Sequence, residues 1–253
     1  MPTVATEAWA AALLRHAVIF RPDGPGPHPL AIQLHGCAGL RPFQEHYAEA
    51  ARAAGIATIV VDSFRPRGLS RVAASVLVCT GAAMRGARRA ADLFAIYRWA
   101  TRQSWVDPAR IAATGWSHGG WTIMDALAAG ADAPRLCGLG DLGDGPLEGL
   151  AGAVLIYPYA GYPAMTAARG WGDHRPPVFA LLCGKDQVVG VRAPSLALDR
   201  LERDRVPVAR LMLPDATHAF EDEGAADPRT RFRADLFGQS RRWYVDALTR
   251  AFG

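Results

Sequence analysis

Short runs of apolar, β-branched residues alternate along the chain with longer segments in which apolar residues recur every three or four positions. The first pattern predicts β-strands, and the second predicts helices with one buried face. The run Ile56–Val61 is almost wholly apolar, which is typical of a strand buried on both faces of a parallel sheet. The predicted strands are His16–Arg21, Pro29–His35, Ile56–Val61, Arg110–Thr114, Ala151–Tyr157, Val178–Cys183 and Pro207–Leu213.

The segments predicted as helices begin and end at recognisable signals. Pro42 opens one of them and Gly55 follows its end, which are positions that favour the first turn and the termination of a helix. In another, Leu93, Ile96 and Ala100 lie at helical spacing. The predicted helices are Pro42–Ala54, Ala83–Gln103, Ser117–Ala129, Arg192–Arg205 and Pro228–Ala251.

This alternation predicts an α/β fold with a mostly parallel central sheet and helices on both faces. No linker, repeat or low-complexity tract divides the series, so residues 1–253 are expected to form a single domain. Three longer irregular stretches remain: Asp62–Ala82, Gly130–Gly149 and Pro158–Pro177. The first and third leave the carboxyl ends of strands, where open α/β sheets bind ligands. At ~20 residues each they are too short for a large lid domain.

The composition is that of a globular protein. Of the 253 residues 50% are apolar and 21% are charged, and the mean hydropathy is +0.04. These values exclude a disordered chain and a collagen-like repeat. No apolar run approaches the roughly 18 residues of a membrane-spanning helix. The residues before the apolar stretch Ala8–Leu14 lack the basic start of a signal peptide, so a cytoplasmic protein without a membrane partner is expected.

Charge argues against a nucleic-acid-binding protein, and cysteine usage argues against a protein built on a metal site or a disulfide framework. The net charge is +4 and the isoelectric point is about 9.1, but Lys185 is the only lysine and the arginines are dispersed along the chain. No nucleic-acid partner is therefore predicted. Cys37, Cys79, Cys137 and Cys183 lack the spacing of metal ligands and are too few for a disulfide framework. Neither a metal nor an organic cofactor is expected.

The strongest chemical signal is the segment Gly115-Trp116-Ser117-His118-Gly119, a G-x-S-x-G pattern between a predicted strand and a predicted helix. This context is typical of the nucleophile elbow, a sharp turn that holds a serine hydroxyl above the sheet. Glycines are required there because side chains would collide with neighbouring backbone. The alternative is an ordinary tight turn, but the context favours Ser117 as a nucleophile.

A serine needs a base to become a nucleophile, and the base needs an acid to orient it. The last predicted strand runs into His218, and the preceding strand runs into Asp186. The chain order Ser117, Asp186, His218 is the order expected after a nucleophile elbow. Asp215 is the alternative acid, but it lies only three residues from His218, where a turn or capping role suits it better.

A negative charge that develops on a substrate carbonyl oxygen needs two N–H donors. The backbone N–H of His118 follows the serine, and its imidazole is expected to point away from the hydroxyl. The second donor is predicted to be the N–H of Cys37, in the loop His35–Gly39, with Gly36 allowing close approach. The alternative for this loop is a plain glycine-containing strand exit.

Six short motifs within residues 15–250 together resemble the dienelactone hydrolase family of the α/β-hydrolase superfamily. The resemblance implies the α/β-hydrolase fold, a hydrolytic activity and no large lid domain. Members of that family carry cysteine where this chain has Ser117, and this difference favours a serine esterase over a lactone hydrolase. The motifs are Leu34–Gly39, Val61–Gly68, Asp107–Ile111, Gly115–Gly119, Gly184–Asp186 and Thr217–Phe220.

The resemblance also indicates substrate contacts on the rim of the site. Arg65 and Arg67 are candidates for binding a substrate carboxylate, since the family uses arginines, but they could equally pair with surface acids or hold the loop. Apart from the resemblance, aromatic residues near the elbow, among them Trp116 and Tyr159, are candidates for an acyl or aromatic pocket wall, or could simply pack.

The family's sheet order would place Cys37 near Cys79, as a disulfide or as two packed thiols. The sequence Gly138–Gly143 matches G-x-G-x-x-G, but it neither follows a predicted strand nor opens a helix. No dinucleotide site is therefore predicted.

These residues together predict a serine hydrolase that cleaves small or aryl carboxylic esters through an acyl-enzyme intermediate on Ser117. A lactone hydrolase or a small peptidase of the same superfamily is the alternative enzyme. A non-catalytic α/β-hydrolase scaffold that only binds ligands is the alternative from another class.

Overall fold

Seven strands form one sheet in the computed structural model, which describes residues 3–70 and 84–253. Their order across the sheet is β1-β3-β2-β4-β5-β6-β7, and every neighbouring pair is parallel except β1 with β3. The strands are β1 Val18–Phe20, β2 His28–Leu34, β3 Ala57–Val61, β4 Val106–Trp116, β5 Gly152–Ile156, β6 Val178–Cys183 and β7 Val208–Leu213.

Helices of the described residues cover both faces of this sheet. On one face α2 and α8 bury Tyr47 and Tyr244, and on the other α1, α3, α4 and α7 bury residues such as Phe94 and Leu198. The helices are α1 Thr6–Leu14, α2 Pro42–Ala53, α3 Gly86–Ala100, α4 His118–Ala128, α5 Ala133–Cys137, α6 Thr166–Arg169, α7 Arg192–Arg203 and α8 Ala234–Phe252.

Burial of the central strands explains their composition. Every residue of β3, β5 and β6 is buried, whereas the edge strand β7 buries only its last residue, Leu213. A strand covered by helices on both faces has no solvent side, so alternation between apolar and polar residues disappears. The predicted mostly parallel α/β architecture is confirmed.

Several boundaries differ from the prediction for local reasons. Strand β4 begins at Val106 rather than Arg110, because Val106 already pairs with His28 of β2, and an irregularity in the register separates this pair from the pair of Leu30 with Ile111. Helix α8 begins at Ala234 rather than Pro228, since the preceding segment is held as a loop by the Arg233 N–H donating to the carbonyl of Phe220. Helix α5 lies in a stretch predicted as irregular.

The carboxyl ends of the parallel strands meet at one edge of the sheet, and the loops that follow β2, β4, β6 and β7 carry the candidate site. Within the described residues, no helix is long and apolar enough to cross a membrane. The same residues contain no group of three or more histidine, cysteine, aspartate or glutamate side chains that could hold a metal ion.

Candidate active site

Ser117 occupies a sharp turn between β4 and α4. Its backbone has φ 52° and ψ −111°, a conformation that L-residues rarely adopt, and its N–H donates to the carbonyl of Ile156 at 2.9 Å. A Cβ added to Gly115 would lie 2.4 Å from the carbonyl carbon of Gly119, and one added to Gly119 would lie 2.1 Å from the oxygen of Leu34. Only glycine fits either position, as the sequence predicted.

His218 and Asp186 complete a chain of hydrogen bonds with Ser117. The Nε2 atom of His218 is 3.0 Å from the Ser117 Oγ, and its Nδ1 is 2.7 Å from the Asp186 Oδ2. The second carboxylate oxygen of Asp186 accepts the N–H groups of Val188 and Val189, both at 2.9 Å. The structure thus brings together the three side chains that the sequence singled out. All three are buried, so these bonds are shielded from water.

The two candidate acids lie in different electrostatic environments. Burial raises the pKa of Asp186, but the hydrogen bond and charge of His218 together with the two backbone N–H groups outweigh it, so that the pKa lies below its usual value. Asp215 is exposed and forms an ion pair with Lys185 at 2.6 Å. Asp186 therefore contacts the histidine as a carboxylate, and Asp215 is held by another residue.

A buried carboxyl group beneath His218 was missed by the sequence interpretation. Glu221 is 2% exposed and accepts the hydroxyls of Tyr47 at 3.1 Å and Tyr157 at 3.0 Å. The ring of Tyr157 packs on the His218 imidazole with 4.6 Å between the ring centroids. Asp186 therefore fixes the edge of the imidazole, while Tyr157, itself held by Glu221, supports one face.

We expect Glu221 to make the stability of the protein depend on pH. Burial raises the pKa of Glu221 to about 7, so the folded state holds its proton over a range in which the unfolded chain has lost it. The free energy of unfolding should fall as pH rises from about 4.5 to about 7, by roughly 3 kcal/mol from this group. Urea unfolding at several pH values measures this slope.

The variant Glu221→Gln should flatten that slope, because an amide keeps the hydrogen-bond acceptor but does not titrate in this range. Glu223→Gln is the matched control, since Glu223 is an exposed neighbour on the same loop. An unchanged pH dependence in Glu221→Gln would show that this carboxyl group is not the source.

The peptide group between Ser117 and His118 is fixed at its carbonyl end. The Ser117 oxygen accepts the N–H of Trp121 at 3.0 Å and of Tyr159 at 3.1 Å. In a trans peptide the N–H points opposite to the carbonyl, so these bonds set the direction of the His118 N–H. His118 is the first residue of α4, where an N–H has no partner within the helix.

The peptide group between Gly36 and Cys37 is fixed in the same way. The Gly36 oxygen is 2.7 Å from the Nδ1 of His35 and accepts the N–H of Gly39 at 3.2 Å. These contacts set the direction of the Cys37 N–H. A Cβ on Gly36 would lie 3.6 Å from the Ser117 Cβ, so this loop runs beside the serine. Both predicted oxyanion donors thus belong to peptide groups whose orientation is fixed.

The predicted substrate contacts lie in different surroundings. Arg65 is exposed on the rim beside Asp62, at 3.6 Å. Arg67 donates two hydrogen bonds to Asp92, at 2.8 and 2.9 Å, and one to the Ser63 carbonyl at 2.7 Å. These bonds occupy the guanidinium of Arg67 within the protein, which agrees with the alternative that Arg67 holds the loop.

The two aromatic candidates also differ in exposure. Trp116 is 1% exposed and packs among Phe43, Tyr47 and Tyr244, so its ring lies in the core and not on the rim. Tyr159 is half-buried in the loop after β5, and its hydroxyl donates to the carbonyl of Tyr162 at 2.6 Å. Of the four predicted rim contacts, Trp116 is the one whose side chain is buried.

Two remaining predictions concern the cysteines and the glycine-rich segment. Cys79 lies outside the described residues, so a pairing with Cys37 stays a prediction, while Cys137 and Cys183 are free thiols. The segment Gly138–Gly143 follows the short helix α5 and opens no helix, so it lacks the strand–turn–helix context of a dinucleotide site.

Solved structures of several hydrolases match the chain over most of its length. A dienelactone hydrolase of Anabaena variabilis has a TM-score of 0.62 and 18% identity, with 92% of this chain and 90% of that chain covered. A dienelactone hydrolase-like promiscuous phosphotriesterase from metagenomic libraries has a TM-score of 0.64 and 21% identity, with 91% and 89% covered. The chain has the α/β-hydrolase fold. The predicted resemblance to dienelactone hydrolases is confirmed at the level of structure.

An esterase structure and a family model also match the chain. Esterase 2 of Thermogutta terrifontis, in a structure phosphorylated by paraoxon, has a TM-score of 0.64 and 17% identity, with 94% of this chain and 88% of that chain covered. Residues 78–135 match the prolyl oligopeptidase family.

A curated relative matches the sequence over a shorter range. An Escherichia coli protein described as an uncharacterized 31.7 kDa protein in the traX-finO intergenic region is 35% identical over 114 residues, which is 44% of this chain. The match spans 37% of the length of that relative.

Proposed function

We propose that this α/β-hydrolase is a serine esterase that cleaves small or aryl carboxylic esters through an acyl-enzyme intermediate on Ser117. The observation that carries the proposal is the chain of hydrogen bonds from the Ser117 Oγ through His218 to Asp186, with distances of 3.0 and 2.7 Å. A buried serine that contacts a histidine imidazole and lies beside two N–H groups of fixed orientation has the parts that acyl transfer needs.

In the first half of the reaction the Ser117 Oγ attacks the ester carbonyl carbon, and its proton passes to the Nε2 of His218. The carbonyl electrons move to oxygen, and the N–H groups of Cys37 and His118 bind the oxyanion. When the carbonyl forms again, the bond to the alcohol breaks and the imidazolium gives its proton to the leaving oxygen. The products of this half are the alcohol and the acyl-enzyme.

Water completes the reaction by the same steps. His218 takes a proton from water as it attacks the acyl carbon, and returns the proton to the Ser117 Oγ when the acid departs. Asp186 accepts the Nδ1–H of His218, which fixes the tautomer with a free Nε2 and stabilises the imidazolium. The lowered pKa of Asp186 keeps this group ionised for that role.

Two of the structural neighbours support an ester substrate. One of them is an esterase that paraoxon phosphorylates, and another is a phosphotriesterase. A peptidase is the second candidate, which the match of residues 78–135 to the prolyl oligopeptidase family favours. A lactone hydrolase is less favoured, because Ser117 stands where dienelactone hydrolases carry cysteine.

A panel of p-nitrophenyl esters from acetate to palmitate tests both the activity and the size of the substrate. We expect the highest kcat/KM at acyl chains of about two to six carbons, with a steep fall beyond. Between β5 and β6 the chain has only a loop with the four-residue helix α6, so this connection offers no long apolar wall to a longer acyl chain.

With a dipeptide p-nitroanilide and an unsaturated lactone added as further arms, the panel also separates the esterase from a lipase, a peptidase and a lactone hydrolase. A maximum at about twelve carbons or longer would contradict the small-substrate proposal and indicate a lipase-like groove. Faster cleavage of a dipeptide p-nitroanilide, or of an unsaturated lactone, than of every ester would instead support the peptidase or the lactone hydrolase. No hydrolysis in any arm would overturn the proposal of an enzyme.

A further inference from the structure

A fully buried arginine lies beneath the two peptide groups that we assign to the oxyanion hole. Arg89 belongs to α3 and its side chain is 0% exposed. One guanidinium nitrogen, Nη1, donates to the carbonyl of His35 at 2.8 Å and to the Nδ1 of His118 at 3.2 Å. A single atom therefore joins the loop after β2 to the first residue of α4.

The contacts of the two histidines define their protonation. Arginine only donates, so the Nδ1 of His118 must accept and its Nε2–H must donate to the carbonyl of Met84, at 2.9 Å. Burial and the charge of Arg89 lower the pKa of His118 to about 3, so this ring stays neutral at physiological pH. His35 is fixed as the other tautomer, because its Nε2 accepts the N–H of Ser63 at 3.1 Å and its Nδ1–H donates to Gly36.

These bonds form a continuous path from Arg89 to both donors. On one side Arg89 holds His35, whose imidazole holds the Gly36 carbonyl and so the direction of the Cys37 N–H. On the other side Arg89 holds the His118 imidazole, and thus the residue that supplies the second N–H. A shift of Arg89 would change the separation of the two donors.

The charge of Arg89 is not neutralised by a direct ion pair within the described residues. Its Nε–H donates to the Ser63 hydroxyl at 2.9 Å, and its Nη2 has no hydrogen-bond partner among those residues. The carboxylate of Asp92 is engaged by Arg67 and by the indole of Trp9, at 2.8 Å each. Burying such a cation costs stability. A functional role would explain why a cation occupies this position.

We propose that Arg89 is a positioning residue of the oxyanion hole: it sets the separation of the Cys37 and His118 N–H groups, and its buried positive charge stabilises the oxyanion. The inference rests on the proposed serine hydrolase function. It predicts that Arg89 acts on the transition state and hardly on the bound ester, because the charge on oxygen exists only after attack by Ser117.

Steady-state hydrolysis of p-nitrophenyl butyrate by Arg89→Met and Arg89→Lys tests this proposal. Rates are normalised to the sites titrated by a fluorophosphonate, so that misfolded molecules do not count. In Arg89→Met we expect kcat to fall about 10- to 100-fold with KM within about threefold, and in Arg89→Lys a smaller fall. Arg88→Met is the matched control, since Arg88 adjoins it on α3 but donates to the carbonyl of Cys137. That control should stay within about twofold of wild type.

An aryl trifluoromethyl ketone supplies the readout that a merely structural role would not change. Its carbonyl carbon accepts the Ser117 Oγ, the serine proton passes to His218, and the resulting oxyanion occupies the hole. The inhibition constant Ki of this ketone should rise in Arg89→Met by about the factor by which kcat/KM falls.

Two results would overturn the role of Arg89. One is a kcat per titrated site within about threefold of wild type in the folded variants, and the other is an unchanged Ki despite a lower kcat. If Arg89→Met does not fold, Arg89→Lys decides by the same two measurements. A wild-type protein that neither reacts with the fluorophosphonate nor hydrolyses any ester would overturn the proposed function itself, and this inference with it.

Discussion

Replacement of Ser117 by alanine should lower kcat for ester hydrolysis by at least about 10³-fold, without unfolding the protein. The substitution removes only the hydroxyl group, whose Oγ contacts the His218 Nε2 that prepares it for attack. The residual rate would come from the oxyanion donors and from binding alone. The rate of p-nitrophenyl butyrate hydrolysis, together with circular dichroism and thermal unfolding, measures both parts of this prediction.

Covalent labelling gives the same prediction a direct readout. A fluorophosphonate should add one phosphonyl group to the wild-type protein and none to Ser117→Ala, as seen by intact mass. Ser104→Ala is the matched control, because Ser104 is exposed in a turn after α3 and should leave labelling and rate unchanged. If Ser117→Ala kept more than about a tenth of the wild-type kcat, another nucleophile would have to act.

The positions of Ser117, Asp186 and His218 could be predicted because each depends on local sequence. The elbow needs glycines on both sides of the serine, and the other two residues lie in the loops that follow strands that the apolar pattern reveals. Parallel strands then bring their carboxyl ends to one edge of the sheet, so residues far apart in sequence meet there.

Glu221 and Arg89 could not be predicted in this way. The partners of Glu221, Tyr47 and Tyr157, lie on α2 and after β5, so nothing near Glu221 in the sequence reveals that it is buried. Arg89 belongs to an arginine-rich stretch that reads as a solvated helix face, and its burial becomes visible only when β2 and α4 are packed against α3.

For Trp116 the sequence misleads in the opposite direction, because it suggests a site residue where the structure has a core residue. It adjoins the nucleophile in sequence, yet successive residues of a strand point to opposite faces of the sheet. Its ring therefore packs against α2 and α8, with its centroid 5.1 Å from that of Tyr47. Sequence proximity to Ser117 placed this residue at the site, but strand geometry places it in the core.

The change Asp186→Asn should lower kcat by about 10³- to 10⁴-fold while leaving KM nearly unchanged. An amide can donate its N–H to the Nδ1 of His218, which would place the imidazole proton on Nε2 and leave no acceptor for the Ser117 hydroxyl. The charge that stabilises the imidazolium would also be lost. The Val188 and Val189 N–H groups can still bond to the amide oxygen, so the loop should keep its shape.

Asp215→Asn is the matched control for this prediction. Asp215 follows β7 two residues after its end and is the alternative acid that the sequence offers, but it is exposed and paired with Lys185 at 2.6 Å. Its loss removes a surface ion pair, which contributes at most about 1 kcal/mol to stability, so kcat should stay within about twofold of wild type. The two variants carry the same chemical change, and they differ only in which carboxylate is neutralised. A larger fall in kcat for Asp215→Asn than for Asp186→Asn would transfer the role of the acid to Asp215.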